Sequence, residues 1–192
     1  MELITERRVH VRLFQEKDRQ NIRKICHLTA TAPEYVENRE LVCLRYADPY
    51  MDICPEGIFV AADEADRAIG YILSVPDTVI FQKKIENGPY FDAVRQISQD
   101  EWRSMTCSPP SDPAILEKFP AHLHIDILEA WQRIGIGHRL MDTLFRHLRN
   151  EQISGIHLEV GENNVKGCNF YRKYGFQVVK KHPGSLFFAK EV

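Results

Sequence analysis

The amino-acid sequence predicts an α/β fold organised around a β-strand, a glycine-rich turn and an amphipathic helix. Between residues 122 and 127 apolar and polar side chains alternate, as in a strand whose two faces differ. The apolar members are Leu123, Ile125 and Ile127, and the polar members are His122, His124 and Asp126. Apolar residues then recur at helical spacing, at Ile136, Leu140, Met141, Leu144, Phe145 and Leu148. Two β-branched runs, Gly57–Ala62 and Ala68–Val75, predict a hairpin earlier in the chain.

Length and composition limit the functional classes. The 192 residues predict a single domain, 1–192, with a sizeable core. The net charge of -2 and the lack of a basic tract argue against a nucleic-acid partner. No apolar stretch has the length of a signal peptide or a membrane span, so we expect no membrane partner. Five cysteines without CxxC spacing predict reduced thiols, a cytoplasmic location and no metal site.

The first half of the chain predicts alternating strands and helices. Val9–Phe14 is a predicted strand, and Glu16–Asp18 leads into a helix that ends before Pro33. A weaker helix is predicted from Glu34 to Tyr46, and Pro49–Pro55 is predicted to be a linker.

The segment from Pro76 to Pro120 is predicted to be a long insertion before the central strand. Thr78–Ile85 and Tyr90–Ile97 have the pattern of short helices, whereas Cys107–Pro113 contains three prolines and is predicted to be irregular. Insertions of this length are usually functional or disordered.

The C-terminal part predicts a strand, a helix and a hairpin. Ile156–Val160 is the strand, and either Asn163 or Asn164 can cap a helix that continues to Tyr174. Gly175 follows in a position that favours a left-handed conformation. Phe176–Lys180 and Leu186–Ala189 are predicted to pair as a hairpin.

The turn before the amphipathic helix predicts an anion site. Its residues, Gln132 to Gly137, include two glycines where a helix begins, so backbone N–H groups can approach a ligand closely. Phosphates favour such helix N-termini. A dinucleotide-binding turn is a poorer match, because Leu140 occupies the position of its third glycine. A third interpretation is that Gly135 and Gly137 only allow tight helix packing.

Two segments resemble a known family. Gln132-x-x-Gly135-x-Gly137 matches the Q/R-x-x-G-x-G/A signature of the GNAT superfamily of acyl-CoA N-acyltransferases. Asn164–Phe176 resembles the family pattern N-x-x-A-x-x-F-Y-x-K-x-G-F, with Gly167 in place of alanine. The resemblance implies a mixed, mostly antiparallel central sheet flanked by helices. The long insertion departs from the family, whose members usually join these strands by a short turn.

The resemblance also implies the cosubstrate acetyl-CoA and no metal. Backbone N–H groups of the turn would hold the pyrophosphate, and the pantetheine arm would lie beside the central strand near Asp126 and Ile127. A backbone N–H near Ile127 would meet the oxyanion. The residues implied to bind the cofactor are Ile127, Gln132, Arg133, Ile134, Gly135, Ile136, Gly137, His138, Asn164 and Tyr171.

Catalysis in this family requires a proton acceptor for the amine and a donor for the leaving thiolate. Tyr171 matches the family tyrosine and is the predicted general acid, although it could instead only pack its helix on the sheet. Asp126 is the first choice for the general base and His124 the second, because polar residues on a central strand suggest that its face lines a cavity. A solvated face or structural hydrogen bonds are the alternative for each. His157 and Glu159 are a weaker second set.

The implied function is N-acetyl transfer from acetyl-CoA to a primary amine by direct attack in a ternary complex. More loosely, Gly70–Thr78, Pro120–Leu128 and His138–Leu144 resemble the acetyltransferase-like domain attached to O-GlcNAc hydrolases. Such domains need not be active, so the alternative is an inactive binding or scaffold module. The acceptor would be a small molecule or a peptide. The residues expected to line its pocket are Glu34, Tyr35, Glu37, Phe81, Tyr90, Phe91 and Trp102. An edge of the C-terminal hairpin could support a homodimer.

Overall fold

The computed structural model describes residues 8–100 and 113–192, and its strands form one seven-stranded sheet in the order β1-β2-β3-β4-β5-β7-β6. The strands are β1 His10–Leu13, β2 Ile58–Ala62, β3 Ala68–Val75, β4 Ala121–Ile127, β5 Gly155–Gly161, β6 Gln177–His182 and β7 Ser185–Glu191. β4 and β5 pair in parallel, whereas β1–β2, β2–β3, β5–β7 and β6–β7 pair antiparallel. This arrangement confirms the predicted mixed, mostly antiparallel sheet.

Helices occupy the connections between the strands. In chain order they are α1 Arg19–Thr29, α2 Pro33–Glu37, α3 Arg39–Tyr46, α4 Asp48–Ile53, α5 Thr78–Glu86, α6 Tyr90–Ile97, α7 Pro113–Lys118, α8 Ile136–Asn150 and α9 Val165–Tyr174. No helix within residues 8–100 and 113–192 is both long and apolar enough to cross a membrane.

The contacts divide the chain into two compact units. The first unit contains the residues up to Leu73 together with Ile125–Leu144, and the second contains Ser74–His124 together with Phe145–Val192. Three elements, β3, β4 and α8, contribute residues to both units. The single domain spanning 1–192 stays a prediction.

Two predictions in the N-terminal half are wrong. The helix expected from Glu34 to Tyr46 is interrupted at Asn38, whose side chain accepts a hydrogen bond from Leu41 N and so caps α3. The expected linker at Pro49–Pro55 contains α4, in which Pro49 is tolerated because it lies in the first turn. Pro49 and Met51 are buried, so this helix is part of the core.

The helices predicted inside the insertion are confirmed as α5 and α6. Pro113, the last proline of the segment predicted to be irregular, begins α7. The remaining part of that segment, with Cys107, and also Trp102 lie outside the described residues.

Burial follows the sequence pattern closely in α8. All six residues of its predicted apolar stripe are at most 2% exposed. In β4, however, only Leu123 of the three predicted core residues is buried, because Ile125 and Ile127 keep intermediate exposure. The C-terminal half of β4 is therefore partly open on both faces.

Candidate active site

The glycine turn of the first unit has an unusual backbone. Arg133 and Gly135 both adopt left-handed conformations, with φ of 64° and 86°. A Cβ atom added to Gly135 would meet nothing within 4 Å among the described residues. Backbone conformation therefore favours glycine here, and close packing does not explain Gly135. A left-handed non-glycine residue such as Arg133 is uncommon and is often found at functional sites.

The turn is attached to the end of β4. The Gln132 side chain donates from Nε2 to the carbonyl oxygen of Ile127 at 2.8 Å, and Leu128 N donates to Ile69 O at 3.0 Å. These bonds fix the start of the turn relative to β3 and β4 within the first unit. The sequence pattern predicts that Gln132 binds the cofactor. In the structure its side chain stabilises the turn through the hydrogen bond to Ile127.

Helix α8 follows the turn directly. The backbone bond from Arg139 N to Gly135 O measures 3.2 Å, and the N–H groups just before Arg139 lie at the N-terminal end of the helix. These groups belong to Ile136, Gly137 and His138, three of the residues implied to hold the pyrophosphate. The Arg139 side chain donates to Val9 O at 2.8 Å, which holds this end of the helix against the segment before β1.

Asp126 is held by a residue that the sequence analysis missed. The hydroxyl of Tyr71 in β3 donates to Asp126 Oδ2 at 2.6 Å. Tyr71 is completely buried, and burial, followed by the negative charge of Asp126, raises the pKa of its phenol well above the usual value. The phenol therefore stays protonated and remains a donor. The only aromatic residue of β3 was the available signal, because buried tyrosine hydroxyls usually have a partner.

Histidines of the second unit are held as neutral side chains. His157 Nδ1 lies 2.7 Å from Phe119 O, and a carbonyl can only accept, so this nitrogen carries the proton. His122 Nδ1 lies 2.8 Å from the hydroxyl oxygen of Thr78, which is also 2.7 Å from Pro120 O. Both bonds are satisfied when His122 Nδ1 donates to Thr78 and Thr78 donates to Pro120. His124, which lies on β4 with His122, belongs to the same unit.

These contacts give a prediction about acid stability. Burial, and secondarily the charges of His157 and His124, lower the pKa of His122 to about 3, and burial also lowers that of His157. In the unfolded chain both would protonate near their usual value, so the unfolded state gains protons first as the pH falls. The contribution of His122 to stability is complete above about pH 6.5 and is lost toward pH 3, with a slope of at most about 1.4 kcal/mol per pH unit, and His157 contributes in the same direction. Urea unfolding measured across this pH range should show the fall in the free energy of unfolding. His122→Gln should reduce the slope of that free energy against pH. An unchanged slope in the variant would contradict the assignment.

The second matched segment forms α9 in the second unit. Asn164 caps the helix by accepting from Gly167 N at 2.8 Å, and Gly175 ends it with a φ of 97°. A Cβ atom at residue 167 would lie 2.9 Å from Asn164 Nδ2. The capping side chain thus fills the space of the family's alanine, which accounts for the one departure from the pattern.

Replacing the cap should lower stability. Asn164→Ala is expected to cost about 1 kcal/mol, because Gly167 N loses its acceptor. Thermal unfolding should report this as a fall of about 2–4 °C. The matched control is Asn163→Ala, which removes the adjacent exposed asparagine that the sequence offered as the other candidate cap. Equal effects of the two substitutions would contradict the assignment.

Tyr171 lies on α9 and is 8% exposed. Its ring packs against Phe176 and Phe188, with centroids 5.8 and 5.9 Å away. Cys168, on the same helix, is 3% exposed and its Sγ lies 3.8 Å from Gly161 O, as expected of a core residue. Glu159, from the weaker second set, accepts hydrogen bonds from Ser185 and His182.

The predicted site residues fall into two groups. The first unit brings together Asp126, Ile127 and the turn from Gln132 to His138. The second unit contains His124, Asn164 and Tyr171. Of the residues expected near the acceptor, Phe81 and Tyr90 are buried in the second unit, and Phe81 packs against the His122 ring at 5.4 Å.

Comparison with known proteins identifies the family. The sequence model of the acetyltransferase (GNAT) family matches residues 22–176. The chain belongs to the GNAT family. That match includes both the glycine turn and the whole of α9. Members of this family use acetyl-CoA, and the resemblance suggested by the two sequence patterns is confirmed.

Solved structures agree with this assignment. The protein called SsHAT is 26% identical, with a TM-score of 0.84 over 95% of this chain and 98% of its own. Ard1 from Thermoplasma volcanium is 18% identical, with a TM-score of 0.61 over 96% of this chain and 97% of its own. The NatC complex bound to a Gag peptide and CoA is 13% identical, with a TM-score of 0.59 over 96% of this chain and 98% of its own. The last two likenesses concern the fold alone. The finer resemblance to the domain attached to O-GlcNAc hydrolases stays a prediction.

Proposed function

We propose that this GNAT-family protein transfers the acetyl group of acetyl-CoA to a primary amine. The observation that carries the proposal is the left-handed turn at Arg133 and Gly135, which leads directly into the N-terminus of α8. In a member of a family that uses acetyl-CoA, such a turn suits a pyrophosphate. Its successive N–H groups, from Arg133 to His138, would donate to phosphate oxygens, with the helix dipole behind them.

Two protons move in the proposed reaction. The amine gives up a proton to Asp126, with His124 as the second candidate, and its nitrogen attacks the thioester carbonyl carbon. A backbone N–H near Ile127 stabilises the oxyanion. The carbon–sulfur bond then breaks, and Tyr171 donates a proton to the departing thiolate. The products are an N-acetylated amine and coenzyme A, and no metal takes part.

Support for Asp126 over His124 comes from its surroundings in the first unit. Asp126 is partly exposed, belongs to the same unit as the glycine turn, and is oriented by the Tyr71 hydroxyl. A carboxylate with one oxygen fixed in this way is pre-oriented for accepting a proton.

The acceptor is proposed to be a cationic amine on a small molecule or a peptide. Support comes from α2, where Glu34 and Glu37 are exposed, while Tyr35 contacts the hydroxyl of Tyr46 at 3.3 Å. Exposed carboxylates would attract a protonated amine and raise its local concentration.

A panel of amines tests this proposal. Polyamines, amino sugars, free amino acids, peptide N-termini and lysine peptides are each incubated with acetyl-CoA and protein, and free thiol is measured. We expect at least one class to give release that is saturable in the amine. Charge-reversing Glu34→Lys should raise the KM for that amine, whereas Glu86→Lys on α5 is the control. Saturable acetyl-CoA binding without turnover for any class would favour the inactive binding module instead.

A further inference from the structure

The residue that holds Asp126 is the strongest further feature of the first unit. We propose that Tyr71 is a positioning residue for the transfer reaction, orienting the Asp126 carboxylate and favouring its ionised form through the hydrogen bond to Oδ2. This inference rests on the proposed function, in which Asp126 accepts the proton of the amine. Neither of the two family patterns includes Tyr71, which lies 55 positions before Asp126 in the chain.

The strand geometry makes this contact specific. Gly70, the neighbour of Tyr71, lies so close to β4 that an added Cβ would be 3.0 Å from Ile127 Cγ1 and 3.1 Å from Asp126 O. The bond from Leu128 N to Ile69 O holds the same region together. Because the backbones are fixed at this short separation and Tyr71 is completely buried, its hydroxyl has little freedom to leave the carboxylate.

The chemistry of the contact is that of a charge-assisted hydrogen bond. The donor–acceptor distance of 2.6 Å lies in the range of a hydroxyl bound to a carboxylate. An ionised carboxylate only accepts, so the phenol must donate. The bond therefore stabilises the charged form of the carboxylate, which is the form that can accept a proton.

Among the described residues, Cys26 is a further titratable group near Asp126. The sulfur of Cys26 on α1 lies within 4.8 Å of an Asp126 carboxylate oxygen. A hydrogen bond with Cys43, burial and the negative charge of Asp126 raise the pKa of the Cys26 thiol, so it stays neutral. His124 lies two residues earlier on the same strand and is the other candidate base. Tyr71 donates directly to Asp126 Oδ2, so its substitution acts directly on the carboxylate.

The test compares pH profiles of kcat/KM for the wild type and Tyr71→Phe, using the best amine from the panel. Loss of the donor should move the acidic limb of the profile to higher pH, because the charged carboxylate loses a hydrogen bond. The maximal kcat/KM of Tyr71→Phe, on the plateau of the profile, should be several-fold below that of the wild type. Tyr50→Phe is the matched control, because it removes another buried phenol of the first unit and should leave the limb in place. A rise in the melting temperature of the variant on addition of acetyl-CoA, as expected for the wild type, shows that the variant is folded.

The outcomes separate this inference from the proposed function. A superimposable profile for Tyr71→Phe, in a protein whose wild type turns over, would overturn the positioning role and leave the function intact. A lower melting temperature without movement of the limb would do the same, since a purely structural bond predicts that result. If Asp126→Asn keeps the wild-type kcat/KM and the acidic limb of its pH profile, Asp126 is not the general base. The proposed role of Tyr71 then fails as well. Absence of turnover in the wild type would overturn both.

Discussion

Gly135→Glu is expected to abolish the rise in melting temperature that acetyl-CoA gives the wild type. A ligand at 100 times its Kd stabilises the native state by about 2.7 kcal/mol, which corresponds to roughly 5–10 °C for a chain of this size. The substitution places a carboxylate where the pyrophosphate is proposed to bind. It also forces a side chain onto a residue with a φ of 86°. Differential scanning fluorimetry with and without acetyl-CoA measures the effect.

The chain offers a matched control for this substitution. Gly184, in the turn between β6 and β7, has a φ of 82°, and a Cβ there would also meet nothing within 4 Å among the described residues. Gly184→Glu therefore carries the same backbone strain and the same added charge. It should lower the melting temperature of the free protein but keep the acetyl-CoA shift. Loss of the shift in both variants, or in neither, would mean that the turn is not the cofactor site.

Tyr171→Phe is expected to lower kcat by about 10²-fold or more, the usual contribution of a general acid. The variant keeps the ring that packs against Phe176 and Phe188 and loses only the hydroxyl. Acetyl-CoA binding should therefore change little, and the loss should appear in kcat. Steady-state kinetics over a wide pH range, together with the thermal shift, distinguishes these effects.

Tyr174→Phe is the control for this second prediction. Tyr174 lies on the same helix and packs against Phe145 and Phe176, so its substitution also removes one hydroxyl from α9. Its kcat should stay near that of the wild type. Unchanged turnover in Tyr171→Phe at every pH would assign Tyr171 to packing, the alternative that its aromatic neighbours equally allow.

The sequence predicted those features that depend on local patterns. The apolar stripe of α8, the cap at Asn164 and the left-handed Gly175 all follow from spacing within one helix and its ends. The glycine turn was predicted for the same reason. Its second left-handed residue, Arg133, was not, because an arginine gives no local signal for that conformation.

Features that depend on distant partners were missed. α4 lies in a segment whose prolines predicted a linker, and burial of Pro49 and Met51 against the core outweighs that local signal. The bond between Tyr71 and Asp126 joins two strands far apart in the chain, so periodicity alone could not pair them. For the same reason the sequence predicted Asp126 as the general base but did not predict which residue orients its carboxylate.

The central claim is that acetyl groups move directly from acetyl-CoA to an amine at this site. The most direct test counts free thiol and acetylated amine in the same reaction, with thiol assayed colorimetrically and the amine by mass spectrometry. We predict one thiol per acetylated amine over many turnovers, and no release above the protein-free rate when the amine is withheld. Thiol release without an amine, or saturable acetyl-CoA binding with no acetylated product, would contradict it.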